Sequence, residues 1–127
     1  MSAASYLIDT HVLLWLDQKP DRLSQRLLDL LRDPSNEVYC SAVSLWEIAI
    51  KQSVGKLVFA GTLPDLTRYG FAELPVRARD AEAVRHLPMH HRDPFDRMLV
   101  AQAMAENLVL VTGDRQMLAY EVAILIC

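Results

Sequence analysis

The chain reads as an α/β fold: a mostly parallel central sheet flanked by helices, in a single domain over residues 1–127. Three observations predict it. Short apolar runs alternate with helical stretches, the pattern of successive β-α units. One run, Leu108-Val109-Leu110-Val111-Thr112, is apolar almost throughout, as in a strand covered on both faces in the middle of a parallel sheet. With 127 residues the chain can bury one sizeable core, and 52% hydrophobic against 23% charged residues mark it as globular rather than disordered.

Tyr6-Leu7-Ile8 is the first strand, closed by Asp9-Thr10. Val12 to Leu16 form a helix apolar almost all round, broken at Lys19-Pro20-Asp21. Leu23, Leu27, Leu28, Leu30 and Leu31 recur near the 3.6-residue period of a second helix, and Asp33 to Asn36 form a loop. Glu37 to Cys40 read as a strand and Ser41 as the cap of a helix over Val43 to Lys51, with Gly55-Lys56-Leu57 ending the region. Leu63 to Tyr69 predict a helix. Phe71 to Pro75 predict an edge strand, because proline lacks a ladder donor, and Arg77 to His86 predict a helix stopped near Pro88. Asp93-Pro94 opens the most clearly signalled helix: proline suits the first helical position, Asp93 suits the cap, and strong helix formers continue to about Glu106. After the strand at 108–112, Gly113-Asp114 turns the chain, Met117-Leu118 starts a short helical turn, and Val122 to Ile126 form a last strand.

In open parallel sheets, sites lie beyond the carboxyl ends of the strands near the point where strand order reverses. Asp9 and Asp114 follow the two most apolar strand candidates, and Asp93, Asp96 and Glu47 lie at or near helix starts, so all should gather at one rim. Each acid has an ordinary reading: Asp93 as a cap, Asp96 as a favourable charge near a helix N-terminus, Glu47 as the partner of Lys51 four residues on. Glu47, however, stands among apolar neighbours at the edge of a buried face and needs a partner or a cation there. Carboxylates converging on one place repel and raise one another's pKa unless a divalent cation fills the cluster. Oxygen donors without thiolates favour Mg²⁺ or Mn²⁺, and a carboxylate-bound metal site can activate water against a phosphodiester.

The segments Leu7-Ile8-Asp9-Thr10-His11-Val12-Leu13-Leu14-Trp15, Ser44-Leu45-Trp46-Glu47-Ile48-Ala49-Ile50-Lys51 with Gly55-Lys56-Leu57, His91-Arg92-Asp93-Pro94-Phe95-Asp96-Arg97 and Leu110-Val111-Thr112-Gly113-Asp114 resemble the motifs of PIN-domain proteins, in family order and across nearly the whole chain. Within that family the resemblance is to the VapC-like toxins of bacterial toxin–antitoxin modules. It implies a metal-dependent endoribonuclease leaving 5′-phosphate and 3′-hydroxyl ends, a Mg²⁺ or Mn²⁺ cofactor, an RNA substrate and inhibition by a small antitoxin protein; a homodimer is also expected. Carried over by motif, the catalytic and metal-binding acids are Asp9, Glu47, Asp96 and Asp114, with Asp93 a secondary acid. Thr10, His11, Arg97 and Arg115 flank them as candidate substrate contacts, and Thr10 and Thr112 as candidate donors to the carboxylates.

Other classes fit less well. The net charge of −3 argues against sequence-blind nucleic-acid binding by a basic surface, but not against an enzyme whose carboxylates bind metal. His86 and His90 have helical spacing for a zinc pair, but Pro88 between them breaks the shared face. His90 and His91 suggest a metal-free ribonuclease acid and base, or simply a polar loop. A haloacid-dehalogenase-like phosphatase needs an acid where His11 stands, and a receiver domain needs an adjacent acidic pair and a late lysine that are missing. An interaction module with relic acids is the non-enzymatic alternative. Cys40 and Cys127 show neither metal-ligand spacing nor a disulfide framework, and no run reaches the roughly 18 apolar residues of a membrane span. A reduced, cytoplasmic protein is expected.

Overall fold

Leu7 and Ile8 are both fully buried, yet they belong to two different cores. Successive strand residues face opposite sides of a sheet, so a strand buried on both faces supplies both layers. Leu110 and Val111 repeat the arrangement: Leu7 and Leu110 pack on one face, Ile8 and Val111 on the other. The computed structural model describes residues 4–55 and 63–127. Its strands are β1 (Ser5–Ile8), β2 (Glu37–Ser41), β3 (Ala72–Leu74), β4 (Val109–Thr112) and β5 (Ile124–Ile126). They form one sheet in the order β3-β2-β1-β4-β5, and every pairing among the described residues is parallel.

The helices are α1 (Thr10–Gln18), α2 (Gln25–Arg32), α3 (Ala42–Ser53), α4 (Ala78–Val84) and α5 (Pro94–Glu106), with 3-10 turns at Pro20–Arg22, Leu66–Tyr69 and Arg115–Ala119. Val12, Leu13 and Leu16 of α1, Leu27, Leu28 and Leu31 of α2 and Ile48 of α3 close one face over Ile8, Val38, Cys40 and Val111. Leu99, Val100 and Ala103 of α5, with Met117 and Tyr120, close the other over Leu7, Leu74 and Leu110. Burying each such large aliphatic side chain contributes about 1.5–3 kcal/mol. Between the layers, the fully buried Gln102 of α5 accepts from Ser41 Oγ at 2.5 Å and donates to the Pro75 carbonyl at 3.1 Å. It ties the ends of β2 and β3 to the central helix.

Chain order places the site. From β1 the chain moves through α1 and α2 to β2 on one side, while β4 lies on the other. The crevice where strand order reverses therefore opens beyond the carboxyl ends of β1 and β4. The expected elements differ from the observed ones mainly at their ends. The helix expected over 63–69 is the 3-10 turn Leu66–Tyr69, closed by Gly70 at φ 75°. The helix after Arg77 stops at Val84, where His86 and Leu87 donate to Ala83 and Val84 in tightened turns before Pro88. The last strand starts at Ile124, because the Val122 N–H is drawn into a turn with the Tyr120 carbonyl. Lys56-Leu57 of the glycine-lysine-leucine run lie outside the described residues. Cys40 is buried, Cys127 is exposed and both are free thiols. Among the described residues no helix is long and apolar enough to cross a membrane.

Candidate active site

Backbone amides left free at helix starts place three of the acids. Asp9 caps α1, its Oδ1 accepting from the Val12 N–H at 2.9 Å, and its own N–H extends the β1–β4 ladder to the Val111 carbonyl at 3.0 Å. Asp93 caps α5, accepting from Phe95 and Asp96 at 2.8 and 3.1 Å. Asp114 caps the Arg115–Ala119 turn through the Gln116 N–H at 2.9 Å. The capping read from the sequence for Asp93 thus extends to Asp9 and Asp114, and these bonds hold the carboxylates at the sheet's rim. Asp9, Asp96 and Asp114 line one cleft of about 270 Å³, together with His11, Trp15 and Gly113.

Glu47 stands behind this cleft. Its side chain is only 5% exposed, Oε2 accepts from Lys51 Nζ at 2.7 Å and Oε1 accepts from the Thr10 hydroxyl at 2.7 Å. The expected Glu–Lys helix pair is present, but with a buried carboxylate rather than as a surface pair. Thr10 is buried and lies against both Glu47 and Ser44 Oγ. Burial in the first turn of α1 turns the hydroxyl of Thr10, a residue expected to touch substrate, toward Glu47. Thr112, fully buried at the end of β4, links two acids; its Oγ1 accepts from the Asp114 N–H at 3.0 Å and its hydroxyl supports the Asp9 carboxylate.

Electrostatics separates the acids. Burial raises the Asp9 pKa against the opposing pull of the Thr112 hydroxyl and the Val12 N–H, and nearby Glu47 raises it further. Asp96 is pushed to about 7, first by burial and then by the charge of Asp93, with Asp9 and Glu47 adding and His91 opposing. Burial thus contributes the largest part of the rise, and the neighbouring carboxylates add to it. Asp114 is the exception. Burial raises it, but bonds from the Gln116 N–H and His91 outweigh that effect and hold it low.

The residue that sequence reasoning did not place in the cluster is His91. Its Nε2 lies 2.7 Å from Asp114 Oδ2 and 3.2 Å from Asp96 Oδ2, while Nδ1 accepts from the Asp93 N–H at 3.1 Å. An acceptor role for Nδ1 puts the proton of a neutral ring on Nε2, so the imidazole donates to the carboxylates. The sequence placed it at the head of the motif that runs to Arg97, two residues ahead of the Asp93 cap, and offered it with His90 as an acid or base. His91, Asp96 and Asp114 bring possible ligand atoms within 4.8 Å of one another. Because a metal-bound imidazole normally donates from its other nitrogen, and His91 Nδ1 faces a donor, the oxygens are the better ligands. The carboxylate cleft and the raised Asp96 pKa together fit a hard divalent cation.

Arg97 departs from expectation. It is 7% exposed, and its guanidinium donates to the carbonyls of Val84, Leu87 and Pro88 and to Tyr120 Oη. Where a phosphate contact by Arg97 was expected, its position on the buried face of α5 ties that helix to the end of α4 and the segment after it. His11 is exposed on the cleft wall, whereas Arg115 is exposed on the turn that Asp114 caps and, among the described residues, makes no ion pair. His90 packs its ring edge-on against Tyr120, outside the acid cluster.

A parallel sheet in the order 3-2-1-4-5 with acids at its switch point defines an α/β domain with a carboxylate-lined cleft. The chain belongs to the PIN domain family, whose sequence profile matches residues 6–123. No curated protein matches it significantly. Among solved structures, it is similar to VapBC2 from Rickettsia felis bound to a DNA fragment from their promoter, with TM-score 0.70 and 18% identity over 95% of this chain and 97% of that one. A toxin–antitoxin complex from Klebsiella pneumoniae gives TM-score 0.63 and 19% identity over 94% and 95%. VapBC-5 from Mycobacterium tuberculosis, of the VapBC family of toxin–antitoxin systems, gives 0.57 and 21% over 97% of each chain. At these identities the similarity establishes the fold.

Proposed function

We propose that the protein is a Mg²⁺- or Mn²⁺-dependent endoribonuclease acting as the toxin of a toxin–antitoxin pair. The observation that carries this reading is the convergence of Asp9, Asp96 and Asp114 on one cleft at the switch point, with Asp96 raised to about 7. PIN family membership and the toxin–antitoxin complexes among its structural neighbours support it.

Asp9, Asp96 and Asp114 would hold the cation, which supplies Lewis acidity and a water acid enough to attack phosphorus. Asp9 and Asp114 enter the reaction preoriented, because one oxygen of each is fixed by a backbone N–H. Glu47, braced by Thr10 and Lys51 behind the cleft, would orient the attacking water or complete a second cation site. His91 Nε2–H sets the angle of Asp114 and Asp96. In-line attack by that water would form the new P–O bond of the 5′-phosphate and break P–O3′, the leaving oxygen taking a proton from solvent to give the 3′-hydroxyl.

A protein partner is part of the proposal. Trp46 is 61% exposed and packs edge-on against Phe95, with their ring centroids 5.3 Å apart. Together with Val43, Val76, Val84 and Met98 they line an apolar groove, the kind of surface that an antitoxin or a second copy covers. The deciding experiment is RNA cleavage in excess EDTA and after Mn²⁺ or Mg²⁺ is restored. Cleavage should vanish and return, with no 2′,3′-cyclic phosphate among the products. Cyclic ends formed in EDTA would overturn the metal-dependent reading, and a folded protein that binds no Mn²⁺ would leave an interaction module in its place.

A further inference from the structure

We propose that the groove beside the acidic cleft, walled by His11, Trp15, Lys19, Arg22 and Lys51, is the track that holds single-stranded RNA on one side of the scissile phosphate. This rests on the ribonuclease reading and names where its substrate lies.

The first feature is adjacency. His11 and Trp15 line both the acidic cleft and this second groove, so the two adjoin across these side chains, with carboxylates on one side and cations on the other. The second is charge. A cleft of carboxylates repels the polyanion it must cut, so attraction has to come from cations placed next to it. The chain carries a net −3, yet Lys19, Arg22 and Lys51 gather at this one groove of about 460 Å³. Among the described residues, Lys19 and Arg22 make no ion pair, which leaves their charge available to phosphate. Lys51 contributes from the wall while holding Glu47.

The third is the pair of rings at the junction. A carbon placed on Gly113 would lie 3.6 Å from the Trp15 ring, which shows how closely the indole sits over the end of β4. The half-buried Trp15 is thereby a fixed platform, and the exposed His11 ring stands 6.0 Å from it at 46°. Aromatic faces beside a cationic groove are how unpaired bases are held without sequence readout. His11, Trp15 and Lys19 follow one another at four-residue intervals along one face of α1 and its C-cap. That stripe is about 12 Å long at 1.5 Å per residue, so it runs as a rail away from the acids.

The test uses the full chain with a fluorescein-labelled single-stranded RNA of mixed sequence. Anisotropy is read with Ca²⁺ in place of Mn²⁺, and steady-state cleavage is read with Mn²⁺. Lys19→Glu should weaken binding about tenfold and flatten the dependence of log Kd on log salt by about 0.7, the slope of one single-strand phosphate contact. Its loss in kcat/KM should appear in KM. Arg22→Glu should behave alike, while the charge-matched Arg85→Glu, on a different face, should change neither. Trp15→Leu, which keeps an apolar side chain in place, should weaken single-strand binding without changing the salt slope. A duplex of the same sequence should compete poorly. Unchanged Kd and slope in Lys19→Glu and Arg22→Glu, with a wild type that still cleaves, would overturn the track and leave the ribonuclease reading standing. A wild type that neither binds nor cleaves RNA with Mn²⁺ would remove both. Equal competition by duplex would also overturn it.

Discussion

Asp96→Asn tests the crowding of charge in the cleft, and its effect should depend on pH. In the unfolded chain this carboxyl ionises near 3.8, whereas in the folded, metal-free protein it holds its proton to about 7. Below 3.8 both states are protonated and no penalty exists. Between 3.8 and about 7 the folded state binds more protons than the unfolded one, so stability falls as pH rises, and above about 7 the loss is complete. A difference of about 3 pH units at about 1.4 kcal/mol each sets a ceiling near 4 kcal/mol. The side chain is 21% exposed on the cleft, and water screens it, which reduces the figure to about 1–2 kcal/mol. Asparagine has the same shape and no proton to lose. In EDTA at low salt, the stability of Asp96→Asn relative to wild type should therefore grow by about 1–2 kcal/mol from pH 4 to pH 8.5, or about 4–7 °C in Tm for a chain of this length. Asp93, His91, Asp9 and Glu47 are the charged neighbours acting on this group. Repeating the series in a His91→Gln background removes the imidazole as a source of the slope. Urea titrations at four pH values decide it: a difference flat with pH would refute the crowded-carboxylate account. Cleavage by the folded variant should fall by orders of magnitude, and full activity would remove Asp96 from the site.

Asp9→Asn keeps a good capping residue at the start of α1, so the metal-free protein should be at least as stable as wild type by thermal melt. Mn²⁺ should then raise the Tm of wild type well above that of the variant, because the ion binds only the folded site; equal responses would contradict metal binding by Asp9. Thr10→Val removes the hydroxyl that donates to buried Glu47 and should cost about 1–3 kcal/mol in urea unfolding, together with part of the activity. Unchanged stability and cleavage would show that Thr10 does not hold Glu47. Arg97→Met strands three carbonyls and the Tyr120 hydroxyl and should destabilise by about 2–4 kcal/mol; a normal melt with lost RNA affinity would instead return Arg97 to the substrate.

Local chemistry was legible along the chain. Apolar runs marked β1 and β4, Asp93-Pro94 marked the start of α5, and the acids at strand ends and helix starts marked the rim, because capping and strand burial depend on neighbours a few residues away. The ordered motifs carried the family as well, since they span nearly the same stretch that the PIN domain profile matches. Contacts between distant segments were not legible. Whether Arg97 faces the cleft or the interior depends on where the segment after α4 lies, and that segment supplies the carbonyls it binds. Thr10 reads equally well as a substrate contact until α3 packs against α1 and brings Glu47 to its hydroxyl. His91 enters the acid cluster only because α5 and β4 set Asp96 and Asp114 on either side of one imidazole proton, 18 residues apart in sequence. The sequence by itself determined which groups carry charge and roughly where the helices and strands lie along the chain. Tertiary structure alone decided which of those charges meet, because hydrogen bonds and desolvation act over a few ångströms of space, and only packing of the sheet and its two helical layers converts separation along the chain into such distances.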